Sequence, residues 1–140
     1  MSLFFNLSQP PKAPLLSIII PAYNEARNLP LLSERLTPSL LEITEEFGVI
    51  IINGGSADDT ASAIAALHAS DPRYCGLSFS RNFGKEIAIA AGLDHARGQA
   101  SIIIDADLQH PPEIIAKFVE KWREGYAVVY GQRIDRATDS

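Results

Sequence analysis

The chain has 140 residues, 46% of them apolar, and carries 12 basic against 17 acidic side chains, a formal charge of -5. That length and composition fit one globular domain with a core of its own, while the acid excess excludes a broad nucleic-acid-binding face, which needs concentrated basic charge. Cys75 is the single cysteine, and His68, His95 and His110 lack zinc-finger spacing, so no intramolecular disulfide framework or zinc module is encoded.

Taken in chain order, residues 1–14 hold Phe4 and Phe5 but no basic segment leading into a long apolar one, a poor match to a signal peptide. Pro10, Pro11 and Pro14 predict a flexible, extended lead-in to a domain over 15–140. The longest apolar runs, such as Val49 to Ile52, fall far short of the roughly 20 residues that span a bilayer. Short β-rich runs predict strands at 15–20, 48–53, 75–79, 101–105 and 127–130.

Helical patterns fill the gaps. The first, over 26–46, is expected to break near Pro38, because proline disfavours helix at the preceding Thr37. The second, over 57–69, opens on Ser56-Ala57-Asp58-Asp59, which resembles a capping box with Asp59 in the usual Glu position. The third, over 84–97, is alanine-rich and is expected to close at Gly98. The fourth starts at Pro111 or Pro112, with Ile114, Phe118 and Trp122 at i, i+4 and i+8 beside Ile115 and Val119, one apolar stripe that places Trp122 in the core. This alternation predicts an α/β, Rossmann-like, mostly parallel sheet with helices on both faces, and ligands of such sheets gather at the strands' carboxyl ends.

Those ends read Pro21-Ala22-Tyr23-Asn24-Glu25, Asn53-Gly54-Gly55-Ser56, Ser80-Arg81-Asn82-Phe83-Gly84-Lys85 and Asp105-Ala106-Asp107. Tyr23 suits stacking on a planar base, Glu25 and Asn53 suit hydrogen bonds to base or ribose, and Arg81 or Lys85 suits a phosphate. Each has a plainer use: packing for Tyr23, a helix start for Asn24 and Glu25, a tight turn for Gly54 and Gly55, solvated charge for Arg81 and Lys85. Asp105 and Asp107 follow an apolar run, and in an extended segment side chains two apart point the same way. They are either a pair of hard oxygen ligands for Mg²⁺ or Mn²⁺, completed by substrate phosphates, or the turn and cap of the helix beginning at Pro111-Pro112-Glu113. A P-loop is excluded, since no glycine stands five residues before Gly84, and no G-x-G-x-x-G follows the first strand.

Ser80-Arg81-Asn82-Phe83-Gly84-Lys85-Glu86, Ala91-Gly92-Leu93, the run from Asp105-Ala106-Asp107-Leu108-Gln109 to Pro112-Glu113, and Tyr130-Gly131-Gln132-Arg133 resemble glycosyltransferase family 2 enzymes of the GT-A fold. Within that family they are similar to the polyprenyl-phosphate branch, which holds bactoprenol glucosyltransferases and dolichol-phosphate mannose synthases. The resemblance covers residues 15–140 and implies that Pro21, Tyr23 and Glu25 line the base pocket. It also implies that Asp105 and Asp107 form the DxD motif, with Asp107 the more direct metal ligand, and that Arg81, Lys85 or Arg133 compensates phosphate charge. One departure stands out: the family often has Asp-Asp-Gly-Ser where this chain has Asn53-Gly54-Gly55-Ser56, so both carboxylates are replaced.

The activity so implied is metal-assisted transfer of a hexose from a UDP- or GDP-sugar to a polyprenyl phosphate with inversion, in the cytoplasm or at the cytoplasmic face of a membrane. Family members continue with an acceptor-binding segment and, in this branch, usually two membrane helices, so the chain is expected to be the donor-binding N-terminal part. Membrane association would then come only through those further segments. Two other readings stay open: a noncatalytic nucleotide-sugar-binding module or inactive fragment, and a flavodoxin-like signalling domain, which leaves Tyr23 and Arg81 to Lys85 without a role.

Overall fold

Isoleucine is the commonest residue in the apolar segments 16–22 and 47–53, where a branched Cβ packs well on a pleated surface. The computed structural model describes residues 2–3, 16–107, 111–124 and 129–130. Its strands are β1 (Ser2–Leu3), β2 (Leu16–Ala22), β3 (Phe47–Asn53), β4 (Tyr74–Ser78), β5 (Ala100–Ile103) and β6 (Val129–Tyr130). Between them run α1 (Asn28–Leu41), α2 (Thr60–Ser70), α3 (Lys85–His95) and α4 (Ile114–Arg123). The sheet order is β1-β4-β3-β2-β5-β6, with every pairing parallel except that of β1 against β4. Ser2 and Leu3, within the expected lead-in, thus pair with Ser78 and Leu77.

The period of two along each strand sorts the core into two halves. Leu16, Ile18 and Ile20 of β2 join Val49 and Ile51 of β3 on the face covered by α1, α2 and α4. Ile19, Ile50, Ile52 and Leu77 face α3 with Ala88 and Ile89. Strands buried on both faces lose the polar alternation of an exposed sheet, which is why β2 and β3 read as nearly continuous apolar runs.

Three local expectations are corrected. Helix α1 runs straight through Pro38 to Leu41, because Leu29, Leu32, Leu36 and Leu40 are all buried and tertiary packing overrides proline's local cost. No side chain caps α2 from Asp59; Asp58 instead accepts from the Thr60 N–H and hydroxyl, so the anticipated capping box is absent. Helix α3 ends at His95 and Gly98 is not its stop. Gly98 lies against the start of β2, its N–H donating to the buried Ser17 Oγ at 2.7 Å, and a Cβ there would stand 2.6 Å from the Ser17 nitrogen. Trp122 is partly buried and packs against the α1 face of the core.

The candidate functional site

From β2 the chain crosses to β3 and β4 on one side, then returns to β5 on the other, so the order reverses between β2 and β5. A crevice is expected where two neighbouring parallel strands send their connections in opposite directions. A cleft of about 430 Å³ lies there, a size within the range of small-molecule sites. Pro21 lines it from the end of β2, Tyr23 and Glu25 from the loop that follows, and Lys85, Asp105 and Asp107 from the segments after β4 and β5. Gly54, Ala88 and Ala106 add small surfaces between them.

The loop after β2 is held in shape from across the rim. Asn24 adopts a left-handed backbone, φ 55°, which asparagine tolerates better than most residues. Its N–H donates to Ser56 Oγ at 2.8 Å, and its Oδ1 accepts from the Ala57 N–H at 2.9 Å. The Glu25 N–H donates to Thr60 Oγ1, and the Ala26 N–H to Asp58 Oδ2. The Thr60 hydroxyl, opposed by partial desolvation and helped by the Thr60 and Ala26 N–H groups, holds the Asp58 carboxyl below its ordinary value. These side chains fix the segment that carries Tyr23 and Glu25, a role that sequence reading missed; the signal was the density of Asn, Ser, Asp and Thr around Gly54-Gly55.

A second junction joins the loop after β3 to the loop after β4. Gly55 has φ 81°, and a Cβ on it would lie 2.4 Å from the Arg81 carbonyl carbon and 2.7 Å from the Asn82 nitrogen. Only glycine permits that approach of two backbones. The Asn82 Oδ1 then accepts from the Gly84 N–H at 2.8 Å, just ahead of Lys85 at the start of α3.

Of the residues expected at the site, Tyr23 lines the cleft with half its surface exposed, and Glu25 lines it with its Oε1 accepting from Asn28 Nδ2. Asn53 does not line the cleft: it is buried, its Oδ1 accepts from the Ser56 N–H at 3.0 Å, and its Nδ2 lies 3.5 Å from Ser78 Oγ. Its amide holds the β3–α2 turn. Arg81 is also off the cleft wall, its guanidinium 4.6 Å from the centre of the Phe83 ring, which packs edge-on against Phe79. Arg133 lies outside the described residues.

Asp105 and Asp107 both line the cleft, by a route different from the one expected. Strand β5 ends at Ile103, and after one further ladder bond from the Ile104 N–H to the Ile19 carbonyl the chain turns. The turn, not the pleat of a strand, therefore presents the acids. The Asp105 side chain is only 14% exposed and pairs with Lys85, Nζ to Oδ1 at 2.7 Å, across twenty residues of sequence. Among the described residues no third His, Cys, Asp or Glu joins the two acids in a metal-holding group. Two carboxylates beside an open cleft fit Mg²⁺ or Mn²⁺ when a ligand's phosphate oxygens complete the shell, and fit poorly a cation bound by protein alone.

The model of the family described as Glycosyl transferase family 2 matches residues 17–140. A Synechocystis glycosyltransferase described as uncharacterized is 48% identical over 121 residues, 86% of this chain and 38% of that protein. The bactoprenol glucosyl transferase of Shigella phage SfV is 45% identical over 124 residues, 89% of this chain and 40% of that one. Among solved structures, the mannosyltransferase PcManGT from Pyrobaculum calidifontis, in complex with GDP-Man and Mn²⁺, aligns with a TM-score of 0.61 at 28% identity, covering 78% of this chain and 32% of that chain. The chain thus spans about two fifths of the length of the curated relatives it matches.

Proposed function

The chain belongs to glycosyltransferase family 2, and from that premise we propose that it is the donor-binding part of an enzyme that moves a hexose from a UDP- or GDP-sugar to a polyprenyl phosphate, with inversion. The observation that carries this reading is the cleft at the sheet's reversal point, lined by Tyr23 and Glu25 from the loop after β2 and by Lys85, Asp105 and Asp107 from the segments after β4 and β5. An exposed aromatic ring and a carboxylate suit a nucleobase and ribose; a lysine and paired acids suit a diphosphate. The bactoprenol glucosyl transferase likeness supports a polyprenyl phosphate acceptor, and the GDP-Man and Mn²⁺ complex supports a nucleotide-sugar donor and a divalent cation.

In this reading Tyr23 and Pro21 orient the base, and Lys85 faces the donor's phosphates. Asp105 and Asp107 would hold a Mg²⁺ or Mn²⁺, which when bound acts as a Lewis acid on the departing nucleotide diphosphate. An acceptor phosphate oxygen forms the bond to the anomeric carbon as that carbon's bond to the donor oxygen breaks, the electron pair leaving with the diphosphate. The acceptor is already an anion, so no residue of the cleft has to remove a proton from it. Arg133 is the candidate for further charge compensation. Among the described residues no helix is long and apolar enough to cross a membrane; the lipid acceptor would bring the site to the cytoplasmic face.

Calorimetric titration with UDP-glucose and GDP-mannose, with and without Mn²⁺, tests the proposal. Mn²⁺-dependent binding of one donor is expected, weakened about 100-fold or more by Asp107→Ala, since supporting partners of metal ligands alone account for 10–100-fold. Equal binding by the variant would remove the assigned role. A second reading is a donor-binding module without transfer, since the cleft's lining suits a nucleotide sugar and holds no residue assigned to the acceptor. Metal-dependent binding with no product formed from polyprenyl phosphate would select it.

A further inference from the structure

Lys85 and Asp105 form the closest ion pair among the described residues, at 2.7 Å, and they do so inside the cleft. We propose that Lys85 is an exchangeable counter-ion: its ammonium occupies Asp105 until a divalent cation takes that carboxylate, and then turns to the donor's diphosphate. The proposal rests on the donor and cation site assigned above and concerns the order in which its charges are satisfied.

Three features of the structure lead to it. Asp105 is largely withdrawn from water and lies two residues from Asp107, so its negative charge needs a nearby positive one. The Lys85 side chain is 44% exposed, and its four-carbon stem carries a compact charge able to swing through the cleft. Its backbone, by contrast, is fixed: it opens α3, whose Gly92 packs so tightly that a Cβ would meet Ile19 Cγ2 at 2.5 Å and Ile52 Cδ1 at 2.8 Å. A fixed backbone carrying a long, partly exposed side chain is what an exchange between two anions on one cleft requires.

The consequence is a coupling. A cation approaching Asp105 alone must displace Lys85 from that carboxylate and meets the repulsion of its ammonium. A cation arriving with a nucleoside diphosphate gives Lys85 a new anion, so each ligand strengthens the other's binding, and by linkage the factor is reciprocal. The protein would thereby resist taking up the metal without the donor.

The test is Mn²⁺ binding, followed by electron paramagnetic resonance, to the 140-residue chain and its Lys85→Met, Lys85→Gln and Asp107→Asn forms, first with Mn²⁺ alone and then with UDP or GDP. Circular dichroism checks that each form is folded, and the two Lys85 substitutions guard against loss of either one. The expected result is Mn²⁺-alone affinity about tenfold higher in both Lys85 variants, with the strengthening by nucleotide reduced by a similar factor. Mn²⁺ affinity unchanged or lower in both Lys85 variants, while Asp107→Asn abolishes binding, would overturn the exchange and leave the cation site standing. No saturable Mn²⁺ binding by any form, with or without nucleotide, would overturn both.

Discussion

Gly55 illustrates how much one residue governs at this rim. Its positive φ would strain any L side chain by about 1–2 kcal/mol, and its missing Cβ makes room for the Arg81 and Asn82 backbones, which have no free end to swing aside. Gly55→Ala is expected to lower stability by about 3 kcal/mol in urea unfolding and to weaken nucleotide binding as the two loops part. Asn53 makes the opposite point. By residue type it looked like a ligand-facing amide; in the fold its hydrogen bonds go to Ser56 and Ser78, so it shapes the rim from beneath. Residue type specified the hydrogen-bonding capacity of Asn53 but not which neighbour would use it.

At the scale of elements, the turn between α2 and β4 is clamped by its own ends. Asp71 accepts from the Arg73 backbone N–H, Nε and Nη2, each at 3.0 Å. The Arg73 guanidinium sits 4.2 Å from the centre of the buried Phe47 ring and donates to the Glu45 carbonyl, joining this turn to the one before β3. Burial alone would raise the Asp71 pKa, but the hydrogen bonds and charge of Arg73 outweigh it and hold the carboxyl below 3.8. The unfolded state therefore takes up its proton first as pH falls, so the clamp's contribution is complete above about pH 5 and is lost as pH drops through the folded pKa. Asp71→Asn should cost about 1 kcal/mol at pH 7 and progressively less as pH falls through the folded pKa of Asp71, read from unfolding midpoints at a series of acid pH values. Helix α1 carries the companion lesson: the leucine spacing that buries Leu36 and Leu40 on either side of Pro38 was a stronger signal than the proline between them.

For the molecule as a whole, the central strands supply both halves of the core, so the two faces are expected to open together. Cys75 offers a probe of that coupling. It packs against the α3-side core, and burial pushes its thiol up to about 12, which leaves almost no thiolate at neutral pH. Its modification by a thiol reagent at pH 8 is expected to be slower than that of an unfolded cysteine by a factor near the folding equilibrium constant, and to accelerate in step with global unfolding in urea. Fast labelling of the native protein would show that the α3 face opens by itself.

The periodic core, the alternation of strands and helices and the placing of Asp105 and Asp107 after an apolar run were all legible in the amino-acid order, because each depends on neighbours a few residues apart. The sequence also carried the family resemblance, on motifs over residues 80–133. What it left open was which rim groups meet: Lys85 with Asp105, Asn24 with Ser56 and Ala57, Gly55 with the Arg81 backbone. Those encounters follow from the order β4-β3-β2-β5, which brings separate loops together along one edge at distances no local pattern encodes. Local chemistry wrote the strands and their polar tips; the sheet's reversal between β2 and β5 decided which tips would share a cleft.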